Sequence, residues 1–232
     1  MNQLISSCLL DPAVLGTPAA PPGRRGARTP SIDLGDPGRC SDTPALVLAN
    51  FDNSGSVACA GGSDPIGNRF AEARLAFDAV AKRCRCGNDL AALTTFDTPT
   101  SADVAPTTLR SGLAVLEQGL RIPADGAGSS CLGPSLQAAR RLIEDHPDHT
   151  GVLVVLSDFE LFDGNVSAVL NDLCVFPGLV HAVVLRSVPP QQLVDDPNVI
   201  VTHISHGGAP GSVAKAVFAA LTATRRHKKQ RR

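Results

Sequence analysis

The stretch ANFDNSGSVAC, residues 49–59, decides how the rest of the chain is read. An apolar run, PALVLANF (44–51), ends there in an Asp, an Asn and two Ser around one Gly. A short apolar run closed by turn residues fits a strand buried on both faces. Its polar end has three uses open to it: capping a helix, supplying a nucleophile, or holding a metal ion. Capping needs a helix to begin at once, whereas helical periodicity resumes only near Asp64, so capping explains little. A serine nucleophile is poorly placed, because Ser54 follows Phe51-Asp52-Asn53 and no G-x-S-x-G elbow occurs. The order Ser54, Asp158, then His203 or His206 imitates that of α/β-hydrolases, and is kept as the enzymatic alternative.

Outward from this stretch, strand-like and helix-like segments alternate. DPIGNRFAEARLAFDAVAKRC (64–84) repeats Phe70, Ala73, Phe77, Val80 and Ala81 at helical spacing, with Asp64-Pro65 at its start. Strands are expected at 89–96, 151–157, 178–185 and 198–204, with a weaker edge strand at 106–110. Helices are expected at 112–120, 133–146, 165–174 and from 211 to the basic end. The second of these has Leu136, Ala139, Leu142 and Ile143 on one face. Strands separated by amphipathic helices imply a doubly wound, mostly parallel six-stranded sheet with helices on both faces. In such sheets ligands bind beyond the carboxyl ends of the strands, where the winding reverses.

Three polar loops fall at that edge. They are Asp52–Ser56, the segment GAGSSCLG (126–133), and LSDFELFDG (156–164). With the strand order 3-2-1-4-5-6 they meet at one crevice. Two carboxylates and several hydroxyls would face each other there with no Lys, Arg or His among them. A hard divalent cation, bound by about six oxygens including waters, removes that electrostatic cost.

DNSGS (52–56) resembles the D-x-S-x-S signature of the von Willebrand factor A-type (vWA) domain, which houses a metal-ion-dependent adhesion site. GSSCLGPSL (128–136) resembles that family's G-G-T-x-x-x-x-A-L segment, and VVLSDFELFDG (154–164) resembles its second-Asp segment, T-D-G. The resemblance spans roughly residues 44 to 224. It implies a Rossmann-like fold and a Mg²⁺ or Mn²⁺ ion held by Asp52, Ser54, Ser56, Ser130 and Asp158. Ser129 replaces Ser130 if the loop is shifted by one. The hydroxyls would bind directly, the carboxylates directly or through water. An acidic residue from a protein partner would fill an open position, with Asn53, Phe159, Glu160 and Phe162 forming the surrounding contact surface. The resemblance thus implies a non-catalytic binding module; bacterial members of this type work beside AAA-type ATPases or in signalling and defence assemblies. The alternative is a scaffold subunit whose metal site is degenerate. Two departures from the pattern stand out: Ser130 replaces Thr, and Phe159 replaces the Gly after the second Asp.

Composition bounds the rest. The chain of 232 residues is 43% hydrophobic, enough for one large domain, although it has eight Phe and no Trp or Tyr. Residues 1–43 are Pro, Gly and Arg rich at their centre and are expected to be mobile or draped over a domain at 44–224. The end, RRHKKQRR (225–232), carries six of the 21 Lys and Arg, leaving 15 basic against 22 acidic residues elsewhere. This basic tail allows nucleic acid as a partner, but no interleaved aromatics support it. No apolar run approaches the roughly 20 residues of a membrane span, and a cytoplasmic protein is expected. The seven cysteines show no regular spacing, so free thiols are expected rather than a disulfide framework. CRC (84–86) offers two metal ligands, without a second Cys/His pair at zinc-site spacing. A P-loop is absent.

Overall fold

Every residue of the strand Ala45–Phe51 (β1) is buried. Its side chains alternate between two cores: Val47, Ala49 and Phe51 enter one, Leu46 and Leu48 the other. The structure is a computed structural model and describes residues 32–59, 61–64, 68–123, 128–205 and 208–226. After β1 come α1 (Gly55–Ala58), α2 (Asn68–Ala81), β2 (Leu90–Thr95), β3 (Val104–Thr108) and α3 (Leu113–Gly119). Then follow α4 (Gly133–Glu144), β4 (Thr150–Ser157), α5 (Val166–Cys174), β5 (Leu179–Leu185), α6 (Gln191–Val194), β6 (Val199–Ile204) and α7 (Ser212–Thr222).

The six strands lie in the order β3-β2-β1-β4-β5-β6. All pairs are parallel except β2 with β3, which is antiparallel. The winding therefore reverses between β1 and β4, whose carboxyl ends carry two of the expected loops. One core lies between the sheet and α2, α3 and α7, the other between the sheet and α4, α5 and α6. Phe70, Ala73, Phe77, Val80 and Ala81 are buried as the helical spacing predicts. Complete burial of a side chain such as Phe77 stabilises by about 1.5–3 kcal/mol.

Two short helices, α1 and α6, lack the length to produce a periodic signal. The early start of α1 corrects the expectation that helix begins only near Asp64. Ser54 is its N-cap, yet makes no side-chain capping bond, so the corrected boundary does not revive the capping reading. Asp64 does receive helix N–H groups, those of Asn68 (2.8 Å) and Arg69 (3.0 Å).

Part of the expected leader is packed. Leu34 rests on the first core, and Arg39 and Arg226 exchange backbone hydrogen bonds of 2.9 and 3.0 Å. Gly211, at φ +90°, lies against Ile32, which a Cβ at this position would meet at 2.7 Å. The buried Glu72 of α2 accepts N–H groups from Gly211 (2.9 Å), Val213 (2.8 Å) and Ala214 (3.1 Å). A carboxylate at a helix N-terminus satisfies orphan donors and complements the dipole, so Glu72 fixes the start of α7. That helix ends at Thr222, short of the expected basic extension, and residues 227–232 lie outside the described residues.

Candidate metal centre

Parallel pairing brings the first and third loops side by side, since Asp52 N–H donates to Leu156 O at 2.9 Å. The second loop closes over both. Gly128 adopts φ +71°, and a Cβ there would stand 3.6 Å from Asn53 O and 3.7 Å from Gly55 N. Phe162 N–H donates to Ser130 O at 3.1 Å. The described parts of all three expected loops thus meet at the carboxyl edge of β1 and β4.

Asp52 is completely buried, with one carboxylate oxygen accepting Ser54 N–H (2.8 Å) and the other the Ser157 hydroxyl (2.5 Å). Burial pushes its pKa up, the bonds from Ser157 and Ser54 oppose this, and the charge of Asp158 adds to the rise. Ser54 Oγ lies 3.0 Å from Ser56 Oγ. It therefore has a hydroxyl partner rather than a histidine; His203 is exposed on β6, and His206 lies outside the described residues. Ser130 is buried. Ser129 instead turns its hydroxyl to Cys131 N–H (3.0 Å) and its own N–H to Asp97 (3.1 Å). Asp158 is buried; its Oδ1 accepts Glu160 N–H at 3.1 Å and its carbonyl accepts the Ser187 hydroxyl.

The crevice is not free of cations, contrary to expectation. Arg69 of α2, fully buried, donates from Nη2 to Asp52 O at 2.9 Å and from Nη1 to Asp64 Oδ2 at 2.7 Å. Among the described residues, however, no ion pair reaches the carboxylate of Asp52 or Asp158.

Of the expected contact residues, Glu160 and Phe162 are on the surface, Phe162 being 78% exposed. Asn53 and Phe159 are buried, which corrects their expected place on that surface. Phe159 joins the second core and keeps φ 58°, the left-handed backbone that favours glycine. Its N–H is held by Ser157 Oγ at 2.8 Å. Asn53 Oδ1 is buried with no hydrogen-bond partner among the described residues.

Sequence reasoning missed the supports. Ser157 carried a signal in standing next to Asp158. Asp163, whose carboxylate accepts Leu132 and Gly133 N–H (both 2.9 Å) at the start of α4, carried one within FDG. Arg69, Asp97 and Ser187 had none, because only the fold brings them close. The cysteine expectation holds for Cys40, Cys84, Cys86, Cys131 and Cys174, which are free, and fails at Cys59, which is disulfide-bonded.

The sheet order and three-loop crevice define a doubly wound α/β protein with an oxygen-lined carboxyl edge. More narrowly, the chain adopts the vWA fold. It superposes on a von Willebrand factor type A protein from Catenulispora acidiphila with TM-score 0.57 at 14% identity, over 78% of this chain and 43% of the other. Proximal thread matrix protein 1 from the mussel byssus, with zinc in its metal-ion-dependent adhesion site, matches at TM-score 0.55 and 14% identity, over 81% and 49%. An aerotolerance-related membrane protein from Bacteroides fragilis matches at 0.52 and 14%, over 77% and 99%. The chain thus spans less than half the length of the first two. No protein-family model and no curated protein sequence matches it. Among the described residues no helix is long and apolar enough to cross a membrane.

Proposed function

We propose that the carboxyl edge of the sheet holds a divalent cation, Mg²⁺ or Mn²⁺, through Asp52, Ser54, Ser56, Ser130 and Asp158, and docks an acidic side chain of a protein partner there without catalysing a reaction. One observation carries this reading: buried Asp52 lies close enough to buried Asp158 for their charges to interact, beside the paired Ser54 and Ser56 hydroxyls, and among the described residues no side-chain cation pairs with either acid. Burial first, and then the charge of Asp158, raise the Asp52 pKa, and a bound cation would relieve that cost. Oxygens on adjacent corners of an octahedral Mg²⁺ site, with bonds of about 2.1 Å, lie about 3.0 Å apart. Ser54 and Ser56 have that separation already. Ser130 fits better than Ser129, whose hydroxyl serves its own loop.

The bound ion would supply Lewis acidity and a coordination position for the partner's carboxylate. The protein contributes neutral hydroxyls for most of its ligands, so an added carboxylate is still attracted. Oxygen-only donors favour Mg²⁺ or Mn²⁺ over zinc, the ion in the byssus protein's site. Around the crevice, exposed Glu160 and Phe162 would meet the partner, with Val188 (87% exposed) on a loop bonded to Asp158 through Ser187. Exposed Phe162 and Val188 supply apolar surface of the kind enriched in protein contacts.

Affinity capture with the full chain tests this, in Mg²⁺ and in EDTA, with Asp52→Ala in parallel. Partners retained in Mg²⁺ should be released by EDTA and absent with the variant. Capture indifferent to both treatments would overturn the metal-bridge reading.

A further inference from the structure

At the opposite edge of the sheet, roughly 20 Å away by the length of β1, a second cluster forms from parts of the chain far apart in sequence. Cys84 and Cys86 follow the end of α2, Asp89 precedes β2, and Cys40 comes from the docked segment before β1. Cys84 Sγ lies 3.8 Å from Cys40 Sγ, 3.6 Å from Cys86 Sγ and 3.6 Å from Asp89 Oδ2. One ligand atom from each of the four residues lies within 4.8 Å of every other.

These distances discriminate between thiol chemistries. A disulfide needs sulfurs at about 2.05 Å and joins only two of them. Tetrahedral zinc, with Zn–S bonds of about 2.3 Å, holds its sulfurs about 3.8 Å apart and takes four ligands. The observed spacings match edges of that tetrahedron. The surroundings match too: Asp89 is oriented by Ala45 N–H (3.2 Å) and by Arg225 Nη2 (2.6 Å). The Arg225 side chain is 2% exposed, and its Nη1 is buried without a hydrogen-bond partner among the described residues. Three thiolates and a carboxylate exceed the charge of a dication by two, and this guanidinium offsets half of the excess from outside the ligand set. Cys40 and Cys86 are half-exposed and line a cleft, so an ion can enter.

We propose that Cys40, Cys84, Cys86 and Asp89 bind one zinc ion in a closed, structural, tetrahedral site. On binding, the thiols release their protons to solvent and no bond is oxidised or reduced. The ion staples the segment before β1 and the end of α2 to the entry of β2, and Arg225 ties the segment after α7 to the same point. This inference stands apart from the oxygen-lined site.

Cobalt titration of the reduced full chain tests it, because only thiolate ligation gives sulfur-to-cobalt charge transfer and only tetrahedral cobalt gives intense visible bands. The expected result is one such cobalt per chain, displaced by zinc. Asp52→Ala should retain it, which separates this site from the other. Cys40→Ser and the half-exposed Cys86→Ser should each weaken it by at least about tenfold, and Cys174→Ser should leave it unchanged. Weak octahedral bands alone, or a wild-type spectrum from Cys40→Ser, would overturn the proposal. So would alkylation mapping that finds two of these three cysteines in a disulfide whether or not zinc is supplied.

Discussion

Asp52→Asn separates the charge of the crevice from its shape. The amide keeps an oxygen for Ser54 N–H, and its NH₂ can donate to Ser157, whose hydroxyl is free to turn. What disappears is a completely buried charge next to another acid, the two causes that raise the Asp52 pKa. Removing a buried charge that is hydrogen-bonded but has no ion-pair partner stabilises by about 1–2 kcal/mol, which for a chain of this size raises Tm by about 2–8 °C. In Mg²⁺ the order should reverse. An ion at about a hundred times its Kd adds about 2.7 kcal/mol to the wild type and little to the variant. The metal-free wild type should also gain stability as pH falls through the raised Asp52 pKa, since its folded form then holds more protons than the unfolded chain; the variant lacks this gain. Calorimetric scans in chelator and in Mg²⁺ read all of these effects. A variant that is less stable without metal, or gains as much from Mg²⁺ as the wild type, refutes the reasoning.

His181 is buried on β5, and burial lowers its pKa to about 4. The unfolded chain then takes a proton near pH 6.5 that the folded one refuses, so stability is full above pH 6.5 and falls by about 3 kcal/mol towards pH 4. In urea unfolding at several pH values His181→Gln should flatten that fall, and an unchanged fall would exonerate His181. Phe159→Gly relieves a left-handed residue worth about 1–2 kcal/mol but empties a buried site worth about 3–5 kcal/mol. Denaturant titration should therefore find a net loss, and a gain would contradict the packing of this ring. Glu72→Gln offers an NH₂ where a carboxylate oxygen now accepts Val213 and Ala214 N–H, at a cost of about 1–3 kcal/mol. Hydrogen exchange should then quicken in the first turn of α7, and unchanged protection there would show that Glu72 does not fix the helix.

The sheet was legible because its central strands are buried on both faces and read as continuous apolar runs such as ALVLANF and GVLVVLS. The edge strand β3 was placed two residues late, for half-buried VAPTT offers little hydrophobic contrast. The three loops were legible as clusters of oxygen-bearing residues at strand ends. Which neighbours are buried was not. Asn53 and Phe159 look like surface residues in sequence, yet a left-handed backbone turns Phe159 into the core. The thiol cluster was half visible as CRC. Its third sulfur stands 44 positions from Cys84, a separation that only the docking of the segment before β1 closes.

Arg69 explains why the crevice cannot settle its own charge. Its guanidinium is pinned by Asp64 at 2.7 Å and stacks on the Phe70 ring, 4.4 Å from the centroid. From that position it reaches the main-chain oxygen of Asp52 but pairs with neither buried carboxylate. The Asp64 carboxylate already balances the guanidinium charge, so the ion pair is neutral as a unit. Arg69 therefore shapes the loop without pairing with the two carboxyl groups buried beside the serine hydroxyls. A Lys at either serine would have closed the account internally and left no position for a ligand. With serines there, the proposed divalent cation would supply the counter-charge from outside the chain, against hydroxyls 3.0 Å apart.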